Sequence, residues 1–428
     1  MEFQEFVLQH EGDDLTRLVL SRDRYPGLDV ALAVSTIESR RKLRDKVPEW
    51  YACPDLVFPA ALSAEQCSSS ATASYKAALV SSTGRGWPAF RESGSCRIAD
   101  LTGGLGVDSW AFAKVFGEVL YNEMSASLAE AARHNFRALG VENIRVESRE
   151  LGAVPLKEIL GDFEPDMIYL DPARRGTAGN KVFLLEDCSP DVTALLPELL
   201  EAAPRLLLKL SPMADIAMVL GRLRYVKELH VVAVKGECKE LLVLLERGFA
   251  GEPEMVAAGI PGGTLRFTRS EEAAARATLE VPESGMVLFE PGKALSKAGC
   301  FNLLSKRGSL GKIGRDTHLY LGKEAVGMAP MGKCFRIREV LPLDKRTLAA
   351  VAGDFPGADV TARGIPMSSE ELAARLRKAG KKKARGGAGG AVHLFGVHCD
   401  LLGRNLLLVT ERIGTNEKFS VYGNSSYL

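Results

Sequence analysis

The feature that most constrains this chain is a change of rhythm at Ser95. From there to about residue 250, short apolar runs alternate with amphipathic helical stretches. RIADL is a β run broken by TGGLGVD, after which SWAFAKVF reads as helix. EVLYNEM is the next strand and SLAEAARHNFRALG the next helix, stopped by Gly140 at its C-terminal cap. NIRVES, DMIYLD and RLLLKLS supply three more strands, and HVVAVKGECKELLVLLE reads as two strands joined by a tight polar turn. Strands alternating with helices predict a mostly parallel sheet covered on both faces. The closing hairpin turns the last strand antiparallel. Seven strands fit within residues 95–250, which predicts one doubly wound α/β domain over 93–250.

The flanks are different material. Residues 1–92 read as helical, with ALAVSTIESRRKLRDKV and LSAEQCSSSATASYKAAL as the main stretches. Residues 251–428 read as α+β: strand-like GMVLFE, HLYLG and ADVTARGI, helical SSEELAARLRKAG, and a hairpin-like HLFGVHCDLLGRNLLLVTERI. KAGKKKARGGAGGA (378–391) reads as a mobile, basic, Gly-rich loop. With 46% hydrophobic residues in 428, the chain has ample material for real cores, which excludes a disordered or collagen-like protein.

Charge is unevenly placed. The net is +1, but from Lys293 onward there are 23 Lys+Arg against 11 Asp+Glu, and before it 32 against 43. An acidic front and a basic back point to a polyanion held by the C-terminal part; plain surface bias is the alternative. The eight cysteines and six histidines are dispersed without metal-ligand spacing, so no metal site is expected, and scattered cysteines fit a reduced, cytoplasmic protein. The acidic N-terminus carries no signal-peptide pattern, and no apolar stretch approaches the ~20 residues of a spanning helix. No membrane association is expected, and the oligomeric state is not legible.

In doubly wound sheets, ligands sit at the carboxyl ends of the strands, so the strand-end residues carry the chemistry. The first strand ends in Asp100, followed by Thr102, Gly103, Gly104 and Gly106, a turn that brings backbone close to a ligand and opens a helix with free N–H groups. A dinucleotide site is one reading, although Ser109 stands where GxGxxG needs its last glycine. Asp100 would repel a pyrophosphate, yet it suits the cationic methionine end of S-adenosylmethionine. Glu123 ends the second strand, where a carboxylate can accept ribose hydroxyls. The fourth strand ends in Asp171-Pro172-Ala-Arg174-Arg175. Asp171, with the fixed carbonyl beside Pro172, can orient an acceptor group toward a methyl donor, which is catalysis by positioning. Arg174 and Arg175 suit a phosphate or a base, and Lys209, ending the fifth strand, lines the pocket or snorkels from the sheet edge.

ADLTGGLGVD, YLDPARR and KLSPMADI resemble the motifs of class I S-adenosylmethionine-dependent methyltransferases. Together with LSAEQCSSSATASYKA, VKGECKELLVLL, EPGKALSKAGCFNLL and DVTARGIPMSSEEL, they are similar to a bacterial group that joins such a domain to a C-terminal THUMP-like module. The resemblance implies a Rossmann-like catalytic domain, a small ferredoxin-like segment near 280–322 within 251–339, and a THUMP-like domain over 340–428. It assigns donor binding to Asp100, Thr102, Gly103, Gly104, Gly106 and Glu123, with Thr102 replacing a more usual glycine. It assigns catalysis to Asp171 and Pro172, while substrate contact by Arg174, Arg175 and Lys209 is expected from their strand-end positions. The helix around Gln66, Ser70, Thr72 and Lys76 resembles one that caps the donor's carboxylate.

Asp171-Pro172-Ala173 lacks the stacking aromatic of amino-group methyltransferases. Leu210 stands where RNA 5-methyluridine enzymes carry their cysteine, and leucine cannot form the covalent adduct. The resulting expectation is a methyltransferase acting on structured RNA, tRNA or rRNA. The alternatives are a methyltransferase of a protein or small molecule, and a catalytically silent RNA-binding protein.

Overall fold

The structure is a computed structural model describing residues 2–81, 96–174, 185, 188–380 and 392–414. Arg175, Lys381, Lys382, Lys383 and Arg385 lie outside the described residues, as does the side chain of Arg174. The chain divides into two compact units, Met1–Leu229 with Glu240–Gly251, and His230–Lys239 with Glu252–Leu428.

The first unit opens with six helices: α1 (Phe3–Gln9), α2 (Leu15–Leu20), α3 (Val30–Leu43), α4 (Pro48–Tyr51), α5 (Ala61–Gln66) and α6 (Ser70–Ser81). Phe6 and Val7 of α1, Leu18 of α2 and Ala33 and Ile37 of α3 form one core, and the Asp14 and Asp29 side chains cap α2 and α3. The stretch LSAEQCSSSATASYKAAL, expected as one helix, is two, with Cys67–Ser69 between α5 and α6. Serine hydroxyls there compete for backbone hydrogen bonds, as Ser69 and Thr72 do reciprocally. Along α6 the buried residues are Thr72, Ala73, Lys76, Ala77 and Val80, at helical spacing, so a lysine lies on the inward face.

The sheet follows the predicted alternation: β1 (Arg97–Asp100), α7 (Val107–Ala113), β2 (Glu118–Asn122), α8 (Ala126–Ala138), β3 (Ile144–Glu147), α9 (Leu156–Leu160), β4 (Met167–Leu170), α10 (Val192–Ala202), β5 (Arg205–Leu210), α11 (Ile216–Arg222), β6 (Val226–Val234) and β7 (Glu237–Glu246). These seven strands run in the order 3-2-1-4-5-7-6. β1 to β5 are parallel, and β7 pairs antiparallel with β5. β1 and β4 are buried between their ends, as strands covered on both faces must be. Lys235 and Gly236, both at positive φ, make the hairpin turn between β6 and β7. Strand order reverses between β1 and β4, which places a crevice at their carboxyl ends.

In the second unit, Glu254–Ile260 and Thr264–Thr268 pair antiparallel. An eight-stranded sheet follows, with strands Thr278–Leu279, Gly311–Lys312, Tyr320–Leu321, Val287–Pro291, Gly332–Pro342, Arg404–Arg412, Val392–Cys399 and Asp359–Arg363 in spatial order. Alternation sorts its two faces. Phe395, Val397, Leu406 and Leu408 enter one core with Phe335 and Ile337. Leu394, Leu407 and Val409 enter another, beneath helices Lys345–Asp354 and Ser369–Gly380. The strands at Glu254, Thr264 and Gly332 were not legible beforehand. EMVAAGI is poor in β-branched residues, and GKCFRIREVLP interleaves charged residues with its buried ones. No helix among the described residues is long and apolar enough to cross a membrane, and no group of His, Cys, Asp or Glu among them could hold a metal ion.

Candidate active site

The turn after β1 is shaped by its own neighbours. A Cβ at Gly103 would meet the Tyr121 ring at 2.1 Å, and one at Gly106 would meet Phe136 at 2.7 Å with φ at +92°. The turn therefore lies against β2 and α8 with no room for side chains. Gly104 differs: its Cβ direction is open, and at φ +52° it is held by its own polar groups. Its N–H donates to Glu123 Oε2 at 2.9 Å, and its carbonyl accepts from the Tyr121 hydroxyl at 2.6 Å.

Glu123 accepts the Ser125 N–H on Oε1 at 2.9 Å, so each carboxylate oxygen has one backbone donor and keeps lone pairs for a ligand. Asn122, buried beneath it, ties three strand ends together. It donates to the Leu101 and Arg149 carbonyls and accepts the Arg149 N–H. Ser148 adds a bond to the Glu123 carbonyl.

Asp100 is placed differently from the sequence expectation. It is fully buried, accepting from Ser109 Oγ at 2.6 Å and from the Thr102 N–H at 3.2 Å. Its carboxyl holds the turn's shape instead of facing a cationic ligand. Burial pushes its pKa up to about 8, making it a weaker acid, with Asp108 and Asp171 adding to the rise and the Ser109 and Thr102 bonds opposing it. A carboxyl that binds its proton more tightly folded than unfolded supports the fold below its unfolded value. That support is lost as pH rises toward 8. Asp100→Asn should therefore flatten the stability–pH curve between pH 5 and 8, by up to about 1.4 kcal/mol per pH unit. Denaturant titrations of both proteins at several pH values check this, and parallel curves would show Asp100 to be ionised throughout.

Thr102 joins the two halves of the crevice, its hydroxyl accepting the Asp171 N–H at 2.6 Å. Asp171 lies at the end of β4, about one-third exposed, beside the buried Pro172. Its Oδ2 accepts from Lys209 Nζ at 2.5 Å, so Lys209, expected to line the substrate pocket, is turned onto the acid. Behind them lies a charged cluster. Lys76, with no exposed surface, donates to Ser68 Oγ at 2.9 Å and to both Glu240 oxygens at 3.0 Å. It stands 3.2 Å from Asp108 Oδ1, an ionic contact rather than an aligned bond. Asp108 Oδ2 accepts from the Ser68 and Tyr169 hydroxyls, each at 2.8 Å. Burial works against the Asp108 charge, but Lys76 and Lys209 outweigh it and hold the carboxyl below the usual aspartate range. Lys76 is thus fully engaged, which overturns its expected place at the donor's carboxylate. Asp108, Tyr169 and Glu240 escaped the sequence reading. For Asp108 and Glu240 the signal was a carboxylate inside a mostly apolar run, VDSWAF and KELLVLL.

A doubly wound set of seven strands within a nine-stranded sheet, with β7 reversed, a glycine turn after β1 and acids just past β2 and β4, is the architecture of class I methyltransferases. The crystal structure of a proposed methyltransferase from Porphyromonas gingivalis W83 matches with a TM-score of 0.81 at 31% identity, over 96% of this chain and 98% of that one. The chain belongs to that family, the class I S-adenosylmethionine-dependent methyltransferases with a C-terminal THUMP-like domain. Residues 288–330 match a ferredoxin-like domain and residues 332–412 the THUMP domain-like family. Partial matches include an rRNA methylase from Streptococcus thermophilus, with 15% identity over 36% of this chain and 86% of that one at TM-score 0.26. Another is the Pyrococcus abyssi tRNA (uracil-54, C5)-methyltransferase in complex with S-adenosyl-L-homocysteine, with 19% identity over 44% of this chain and 41% of that one at TM-score 0.30. No curated relative matches the sequence.

Proposed function

We propose that the protein methylates structured RNA, tRNA or rRNA, in the cytoplasm. The observation that carries this reading is the THUMP domain-like match at residues 332–412 in one chain with a methyltransferase sheet. The excess of 23 basic over 11 acidic residues from Lys293 onward supports it, because phosphate neutralisation needs such a surface.

The donor set fits S-adenosylmethionine. Glu123 retains acceptor capacity on both oxygens, and the Gly104 side of the turn is open. When bound, that cofactor supplies a methyl group already activated on a cationic sulfur. In this reading Glu123 accepts ribose hydroxyls, while Thr102, Gly103, Gly104 and Gly106 provide the floor, with Asp100 holding it from beneath. Asp171 Oδ1 takes no hydrogen bond from the described residues and is the acceptor that orients the substrate's reacting group, beside Pro172. Arg174 and Arg175 follow directly and are assigned to the RNA.

Nucleoside mass spectrometry of RNA from cells with and without the gene tests the reading. One methylated nucleoside should vanish from tRNA or rRNA, and identical profiles would move the substrate to a protein or small molecule. Direct contact by the basic run Arg375, Arg377, Lys378, Lys381, Lys382, Lys383 and Arg385 is part of the proposal. RNA affinity should fall steeply with salt, and neutralising Lys381, Lys382 and Lys383 should flatten the log–log slope by roughly two to three units. Filter-binding titrations measure it; an unchanged slope would move RNA recognition to Arg174 and Arg175.

A further inference from the structure

We propose that Lys209 is a positioning residue for Asp171, an inference that rests on Asp171 being the group that orients the acceptor. Three carboxylates from three elements face this one ammonium: Asp171 from the end of β4, Asp108 from α7 and Glu240 from β7. Only Asp171 is close enough to bond it, at 2.5 Å, and only Asp171 is open to the crevice. Asp108 is fixed by Ser68 and Tyr169, and Glu240 by both of its bonds to Lys76. Asp108 and Glu240 thus stabilise the ammonium electrostatically from fixed positions, and Asp171 is the one of the three that bonds it.

This arrangement has a chemical consequence. An aspartate at a strand end has two free torsions and two equivalent oxygens. Lys209 claims Oδ2 and, with the Thr102 bond to the Asp171 N–H, leaves Oδ1 pointing at one place. The acid acts as a pre-aimed hydrogen-bond acceptor, and its partner is supplied from within the protein before any substrate arrives. Lys209 itself is nearly buried, with 13% of its side chain exposed, so it serves the reaction through Asp171 and not by touching RNA.

The test uses the full-length protein with Lys209→Met and Lys209→Arg. The assays are S-adenosylhomocysteine calorimetry and transfer of tritium from labelled S-adenosylmethionine to total RNA from cells lacking the gene. Lys209→Met should keep homocysteine-product affinity within about twofold and lower kcat by about a hundredfold, the effect of a misplaced group, while KM for RNA stays level. Lys209→Arg should recover a large part of kcat. A raised KM at constant kcat would overturn the proposal by making Lys209 a substrate contact, and lost S-adenosylhomocysteine affinity would overturn it by placing the residue at the donor. If wild-type protein labels no RNA, the RNA reading fails by itself. The crystal structure of Lys209→Met then decides the positioning role, because an Asp171 side chain in an unchanged rotamer would refute it. If Lys209→Met does not fold, Lys209→Arg carries the test: a kcat equal to wild type with Asp171 displaced in its crystal structure would refute the role.

Discussion

Asp171→Ala is expected to bind S-adenosylhomocysteine as the wild type does while losing about 10³-fold in methyl transfer, near 4 kcal/mol of transition-state stabilisation. The acid ends β4, tied to the β1 turn only through its backbone N–H on Thr102, and its carboxylate is used by Lys209 and not by the turn that carries Glu123. Glu123→Ala should show the opposite split. It removes an acceptor that holds the Gly104 and Ser125 N–H groups, so affinity for S-adenosylhomocysteine should drop by roughly 1.5–3 kcal/mol. Calorimetry with the product, alongside transfer of label to RNA from cells lacking the gene, separates the two. If Asp171→Ala loses product binding while Glu123→Ala keeps it, the roles are exchanged and the crevice has been assigned backwards.

Lys76→Met should cost the first unit about 3–5 kcal/mol, the range for removing one partner from a buried ion pair. The substitution leaves Glu240, 2% exposed, without the ammonium that both of its oxygens accept from, and weakens the hold on Asp108. Glu240 already sits above the usual glutamate range through burial, against the pull of Lys76 and Lys209, so losing Lys76 should drive it to take up a proton. Pairing the change with Glu240→Leu should recover much of the loss, because an apolar pair of similar volume carries no desolvation penalty. All three tryptophans lie in the first 229 residues, so intrinsic fluorescence in a urea titration reports this unit. An unshifted midpoint in Lys76→Met would mean that the cluster contributes nothing net. The Asp108 part of the pH dependence has a definite sign. Asp108 lies below its ordinary value when folded, so its contribution is complete above that value and is lost as pH falls through the folded one.

Much of the catalytic unit could be read from one dimension. The period-2 and period-3.6 patterns are local, so β1 to β7 and their helices fell where the apolar runs lay, and the reversed last strand followed from the short turn at Lys235–Gly236. The residues ending β1, β2, β4 and β5 were legible as a group, because a doubly wound sheet brings every strand's carboxyl end to one edge. Which of them faces a ligand was not legible. Asp100 and Glu123 look alike as strand-end acids. Yet Asp100 is turned inward onto Ser109 and Thr102, while Glu123 stays half-exposed over Gly104.

The charged cluster was further out of reach. Lys76, Asp108, Lys209 and Glu240 come from four elements, and Lys76 stands 164 positions from Glu240. A lysine in an alanine-rich helix carries no mark of the carboxylate it will meet. Sequence alone determined the periodicities, the turns and the chemistry available at the strand ends, because these depend on neighbours along the chain. Only the tertiary structure decided which carboxylate is buried, which is paired and which is left facing the crevice, because desolvation and ion pairing are settled by groups that meet in space.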